Sequence, residues 1–311
     1  MKVVALAGGV GGAKLVDGLA AVLPAGDLTV IVNTGDDFEH LGLNISPDLD
    51  TVMYTLAGLA NPETGWGRAD ESWAFLETFE TLGGPTWFRL GDRDLALHME
   101  RTRRLRKGET LSHVTAELSE RLGISVPILP MSDEPVRTMV HTDEGELAFQ
   151  EYFVARACEP VVRGFEFRGA DTAAPAPGVS RALEAADVVI FCPSNPWVSL
   201  DPILAVPGIG AAVQARPTIG ISSIVGGNAI KGPAAKMYAE LGVEPSALAV
   251  AEHYSGLDAF VIDAVDAEQM EAIRSIGMQP FVTNTVMDSG QARRRLAQEV
   301  LEFVGELELA L

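Results

Sequence analysis

Only two cysteines, Cys158 and Cys192, occur in 311 residues, and they lie far apart. Neither a disulfide framework nor a zinc site is expected, and a reducing cytoplasm is the simplest compartment. Positive charge is scarce too: 23 Lys and Arg stand against 43 Asp and Glu, a formal charge of −20. Such a surface repels phosphate backbones and anionic lipid, which excludes an electrostatic nucleic-acid or membrane binder. Long apolar runs are missing. Val3 to Ala7 is broken by Gly8 and Gly9, far short of the roughly 20 residues of a membrane span, so neither an export signal nor an anchor is expected. His40, His98, His113, His141 and His253 share no local ligand spacing, and no serine sits in a Gly-x-Ser-x-Gly elbow. Acyl-enzyme chemistry is therefore unsupported.

What is present is the composition of a folded chain, 47% hydrophobic and 21% charged, long enough for one large α/β unit or two lobes. Short apolar runs alternate with helical stretches, the rhythm of a parallel sheet wrapped by helices. Strands are predicted at Val3–Ala7, Leu28–Val32, Pro127–Leu129, Val136–His141, Glu146–Val154, Val161–Arg168, Val188–Cys192, Thr218–Ser222 and Phe260–Asp263. Helices are predicted at Gly11–Val22, Ile209–Ala215, Pro233–Leu241 and from Gln291. Between them, Leu49–Ala60, Glu71–Leu82, Leu95–Arg106 and Leu111–Leu122 read as consecutive amphipathic helices. The fold class expected is α/β: a Rossmann-like three-layer core with a mostly parallel sheet from residues 1–47 and 124–311, and an all-α inserted subdomain from residues 48–123. Function is expected where the two halves of the sheet meet.

Gly8, Gly9, Gly11 and Gly12 join the first strand to the first helix, where backbone amides and the positive helix end can hold a phosphate. A dinucleotide fingerprint would need glycine at Lys14 and an acid at Asn33, and a Walker loop would need Ser or Thr at Leu15. NAD is thus disfavoured, while a tight turn without a ligand stays open. Asp36 and Asp37 follow the second strand, and Asp48 and Asp50 open the first inserted helix. Carboxylates at such strand ends hold hard cations such as Mg²⁺ against phosphates, although each could equally cap a helix or make a turn. Arg89 lies beside Trp87 and Phe88, placed to face a planar or anionic ligand or to form a surface ion pair. The segment Gly91-Asp92-Arg93-Asp94 either orients a substrate or knits the helices to the sheet. Ser194, Asn195 and Pro196 after one late strand, and Ser222, Gly226 and Gly227 after the next, suggest a second wall of a nucleotide cleft, with turn chemistry as the alternative.

Taken in order, Ala7 to Leu15, Asn33 to Asp37, Pro47 to Thr51, Gly91 to Asp94, Pro193 to Pro196 and Ile230 to Pro233 resemble the 2-phospho-L-lactate transferase family of coenzyme F420 biosynthesis, along nearly the whole chain. The resemblance implies transfer of a phospholactyl or enolpyruvyl-phosphate group from a guanosine diphosphate-linked donor to the deazaflavin Fo, with release of GMP. It also implies dependence on Mg²⁺ and, in some members, a homodimer. Asp50 and Arg89 fall where the family contacts Fo, and Asp50 is the expected catalytic residue. The glycine turn and the two late loops would line the donor cleft. The metal is placed by chemistry among Asp36, Asp37 and Asp50. Two rivals remain. One is a non-catalytic nucleotide-sugar-binding regulator of a related family, whose glycine turn typically reads differently. The other is a nicotinamide-dependent oxidoreductase.

Overall fold

Five consecutive buried apolar residues make β1 (Val3–Ala7) a strand covered on both faces, as in the middle of a parallel sheet. In the computed structural model, which describes residues 1–307, β1 runs through the glycine turn into α1 (Gly9–Val22), which returns to β2 (Leu28–Val32). A hairpin of β3 (Phe38–His40) and β4 (Leu43–Ile45) leads to the helices α2 (Pro47–Leu56), α3 (Ala74–Thr81), α4 (Asp92–Leu105) and α5 (Leu111–Arg121). The chain rejoins the sheet as β5 (Ile128–Pro130). It then builds a separate antiparallel sheet from β6 (Arg137–Thr142), β7 (Gly145–Ala148) and β8 (Val162–Arg168). It comes back as β9 (Val188–Phe191) and β10 (Thr218–Ile221), makes a small hairpin of β11 (Ile224–Val225) and β12 (Asn228–Ala229), and ends with β13 (Ala259–Asp263), β14 (Gln279–Thr283) and the helix Gly290–Glu306.

The central sheet has the order β14-β13-β10-β9-β1-β2-β5, and every pairing in it is parallel. The chain leaves β1 toward β2 on one side and resumes beside β1 as β9 on the other. Connections that diverge in this way open a crevice at the carboxyl ends of the strands, between β1 and β9.

On one face of the sheet, α1 packs against the C-terminal helix. Gly18 permits this, since a side chain there would strike the carbonyl oxygen of Arg293. Leu15, Leu19, Leu296 and Val300 are fully buried in this layer, each contributing about 2 kcal/mol of apolar burial. Leu49, Val52 and Met53 of α2, Leu97 of α4, and Val114 and Leu118 of α5 belong to the same apolar cluster. The helical segment therefore shares its core with the sheet. The other face is covered by short helices that bury Val179, Leu183, Ile203, Ile209, Val250 and Ile273.

Several boundaries differ from the pattern reading. The predicted helix from Glu71 begins at Ala74, because the Asp92 carboxylate accepts from the backbone amides of Ala74 and Phe75 and sets the start. The predicted strand Glu146–Val154 ends at Ala148 and continues as a helical turn, Glu151–Ala155. That turn brings Phe149 and Phe153, four residues apart, into a parallel stack with centroids 5.4 Å apart. The edge strand β14, the hairpin β3–β4 and the helices Val179–Ala185 and Ala247–His253 have no counterpart in the pattern reading.

Candidate active site

A cavity of about 740 Å³ opens at the crevice between β1 and β9. From the first turn, Gly8, Gly9, Gly11 and Lys14 line it. Gly12 does not: it is buried, and a Cβ there would lie 2.7 Å from the Ser194 hydroxyl oxygen. Ser194 stitches the two sheet halves together, accepting from the Gly8 amide at 3.2 Å and donating to the Gly8 carbonyl at 2.7 Å. Gly11 has backbone so close to Pro193 that any side chain would meet the Pro193 carbonyl. These glycines let the first turn lie against the loop after β9, and part of the turn also faces the cavity. Lys14 is half-buried, and burial and the nearby cations Arg293 and Lys231 hold its pKa below the ordinary lysine value. Among the described residues no carboxylate lies within ion-pair distance of it.

Asn33, completely buried at the end of β2, organises the carboxylates. Its side-chain amide donates to Asp36 Oδ1 and Asp48 Oδ2, both at 2.9 Å, and to the Val198 carbonyl at 3.1 Å. Burial, then repulsion by Asp48, pushes the Asp36 carboxyl well above its usual range. Burial likewise pushes Asp48 up to about 6, against the stabilising pull of Asn33 and of the Gly9 backbone. Both residues line the cavity. Two crowded carboxylates with too few donors form a set that a hard divalent cation satisfies.

The other two predicted carboxylates are placed differently. Asp37 accepts from the Ser46 hydroxyl at 2.8 Å, its second oxygen has no partner among the described residues, and burial raises it to about 7; it does not line the cavity. Asp50 lines the cavity, but both its oxygens are gripped by the fully buried Arg101, one at 3.1 Å and one closer still. The structure thus groups Asp36 with Asp48, rather than with Asp37 and Asp50. The sequence marks Asn33 as an argument against NAD and as part of the Asn33–Asp37 segment of the family resemblance, but not as the organiser of the carboxylates; its position at the strand end, with acids three and fifteen residues on, is the available signal.

Part of the lining is aromatic. Trp66, Trp87, Phe88, Phe149 and Phe153 line it, with Arg89 beside them. The Arg89 guanidinium stacks on Trp73 at 4.3 Å from the ring centroid, which holds a cation at the edge of an apolar surface. Trp66, Phe149 and Phe153 were not singled out by the sequence, because the chain brings them from two distant segments. Lys231 closes part of the mouth by donating to the Thr64 carbonyl.

The late loops contribute fewer free polar groups than expected. Asn195 lines the cavity, yet its side chain caps the following turn by accepting from the Trp197 amide at 3.1 Å. Pro196 begins that turn and lies outside the lining. Ser222 lines the cavity with its hydroxyl donating to the Ile224 carbonyl at 2.7 Å. Gly226 and Gly227 lie outside the lining: they form the tip of the β11–β12 hairpin at φ of 56° and 76°, and the Gly226 amide donates to Asp266. The lining is supplied instead by Val225 and the stretch Ile230 to Ala234.

A family of known proteins shares this pattern: residues 3–301 match the family described as 2-phospho-L-lactate transferase CofD. The phosphoenolpyruvate transferase of Streptomyces griseus subsp. griseus is 45% identical over 316 residues, covering 99% of each chain. The 2-phospho-L-lactate transferase of Methanopyrus kandleri is 41% identical over 310 residues, again 99% of each. In three dimensions, a upf0052 family protein from Bacillus halodurans superposes with a TM-score of 0.62 at 15% identity, covering 96% of this chain and 98% of that one, a likeness of fold. With the family match spanning nearly its whole length, the chain belongs to the 2-phospho-L-lactate transferase family of coenzyme F420 biosynthesis.

Proposed function

We propose that this transferase moves an enolpyruvyl-phosphate group from a guanosine diphosphate-linked donor to the deazaflavin Fo and releases GMP. The observation that carries this reading is one cavity lined both by buried carboxylates and by aromatic side chains, at the carboxyl edge of a parallel sheet. A flat tricyclic acceptor suits the wall of Trp66, Trp87, Phe88 and Phe153, with Arg89 at its border. The donor's diphosphate suits the carboxylates beside the glycine turn, with Lys14 as a cation that has no ion-pair partner among the described residues. Relatives named for phosphoenolpyruvate reach 44 to 46% identity and those named for phospholactate 38 to 41%, which supports the enolpyruvyl donor over the lactyl one.

Mg²⁺ fits the pair Asp36 and Asp48, whose charges crowd one amide in a low-dielectric pocket. Bound there it supplies charge neutralisation for a diphosphate. Asp50 and Arg89 take the Fo side, as the family resemblance implies, with Asp50 held rigid by Arg101. The reacting step is attack of the Fo ribityl hydroxyl on the phosphorus bearing the acid, made fast by positioning and by dipoles aimed at the leaving phosphate. Two unpaired cysteines and the absence, among the described residues, of a helix long and apolar enough to cross a membrane agree with a cytoplasmic enzyme; a homodimer completes the reading.

The test is direct. Purified protein is incubated with Fo, Mg²⁺ and each candidate donor, and the products are weighed by mass spectrometry. Dehydro product from the enolpyruvyl donor is expected. Product only from the lactyl donor would correct the donor, and binding of a uridine diphosphate sugar with no turnover would replace the reading by a regulator.

A further inference from the structure

The function above needs a group to receive the hydroxyl of the acceptor, and Asp50 is poorly placed to be the only one, since Arg101 engages both its oxygens. A second carboxylate stands in the same wall. Asp94, in the first turn of α4, lines the cavity beside Asp50, Tyr54 and His98. Its neighbour Asp92 serves α3 as a cap, whereas the Asp94 side chain turns to the cavity and is 15% exposed.

The surroundings of Asp94 hold it in one pose. Its backbone amide is anchored by Glu71 at 2.8 Å. The Tyr54 hydroxyl donates to Oδ1 at 2.6 Å. His98, 2% exposed, brings Nε2 to within 3.2 Å of the same oxygen, off the line of a good hydrogen bond. On its other side, His98 Nδ1 lies 3.4 Å from Arg101 Nη1. Nδ1 also lies 3.6 Å from Asp50 Oδ2, so the ring stands between the two carboxylates with Nε2 facing Asp94. Asp50, Arg101, His98, Asp94 and Tyr54 thus form one contiguous polar row, and within it Asp94 Oδ2 has no hydrogen-bond partner among the described residues. His98 and Tyr54 hold that carboxyl below its usual pKa despite burial, so it is ionised at neutral pH.

We infer that Asp94 receives the hydroxyl of the acceptor substrate through its open oxygen, with Tyr54, His98 and Arg101 as positioning residues behind it. This rests on the transferase reading above. In the step, the hydroxyl oxygen forms its bond to phosphorus while the bond from phosphorus to the GMP oxygen breaks and that electron pair leaves on GMP. The hydroxyl proton passes to Asp94 Oδ2 and from there to solvent. An ionised carboxylate of low pKa is a weak base, so transfer comes late, as bond formation to phosphorus makes the hydroxyl acidic.

The experiment compares wild type with Asp94→Asn, Tyr54→Phe and His98→Gln, reading product by mass spectrometry, kcat and KM for each substrate, and Fo affinity by fluorescence titration. Wild type must first form product; if it does not, the transferase reading itself fails. Given an active wild type, Asp94→Asn is expected to lower kcat about 100-fold or more, with donor KM and Fo affinity within a few-fold of wild type. Formate added to Asp94→Ala is expected to restore part of the rate, which a purely structural role would not do. Tyr54→Phe and His98→Gln are expected to lower kcat about 10-fold each and leave KM in place. A kcat for Asp94→Asn within about threefold of wild type overturns the inference alone, as does loss of Fo affinity in proportion to the rate. If Asp94→Asn does not fold, Tyr54→Phe decides: unchanged kcat overturns, and lowered kcat at unchanged Fo affinity supports.

Discussion

The loops after β9 and β10 carry serines, an asparagine and glycines whose polar groups are met within the fold. Ser194 bonds Gly8, Asn195 caps a turn, Ser222 closes its own turn onto Ile224, and the Gly226 amide is taken by Asp266. In the acidic group that follows β2, Asp36 and Asp48 share one buried amide and repel each other, and Asp37 has an oxygen with no partner among the described residues. Both groups sit on the same sheet edge and look alike as sequence. The difference teaches that residues completing a turn resemble residues awaiting a ligand, and that unmet chemistry after folding separates the two.

The largest effect expected among the carboxylates is on folding. Arg101→Met leaves Asp50 buried without its partner and should cost about 3 to 5 kcal/mol in denaturant unfolding; a loss below about 1 kcal/mol would mean that water reaches Asp50. Asp48→Asn should lower turnover about 10²- to 10³-fold, abolish any rise in melting temperature on adding Mg²⁺, and yet raise the melting temperature of the metal-free protein. If the metal-free variant melts lower than wild type, the crowding of Asp36 and Asp48 is not a source of strain.

The raised carboxyls also set a pH dependence. Asp37, near 7 when folded against an ordinary 3.8, binds its proton more tightly in the native state. Its contribution to stability is thus fully present below about pH 4 and is lost as pH rises to about 7. Asp37→Asn should therefore gain over wild type in melting temperature as pH goes from about 5 to about 7.5, and a constant difference would contradict the shift. A smaller effect is expected from Lys14→Met: about a 10-fold rise in donor KM, the loss of one charge-assisted contact, with Fo affinity unchanged. Smallest of all, Ser194→Ala should cost about 1 kcal/mol of stability and leave turnover within a few-fold. A large loss of donor affinity in that variant would dissolve the contrast between the two groups.

Much of the frame was readable because it rests on local patterns. The all-apolar run Val3–Ala7 could only be a buried strand, and the glycines after it could only be a tight entry into a helix. The four helices between Pro47 and Arg121 followed from their spacing. The edge strand β14 was harder to read: Gln279–Thr283 is half-exposed and carries Pro280, so it lacks the apolar run that marks the central strands. In the site, Asp36 and Asp48 were visible as acids but not as partners, since Asn33 joins them only once β2 and α2 are in place. The aromatic wall was the least legible part. Trp66 comes from a loop and Phe153 from a turn nearly ninety positions later, and no spacing rule links them.

The core shared between α2, α4, α5 and the sheet has a consequence for engineering and descent. Excising residues 48–123 would bare the flank of α1 and leave Leu49, Val52 and Met53 without successors, so these helices cannot be traded between relatives as a cassette. A chimera that exchanges them must carry α1 along, so the glycine turn and the helices that line the cavity with it pass from one relative to another as a unit.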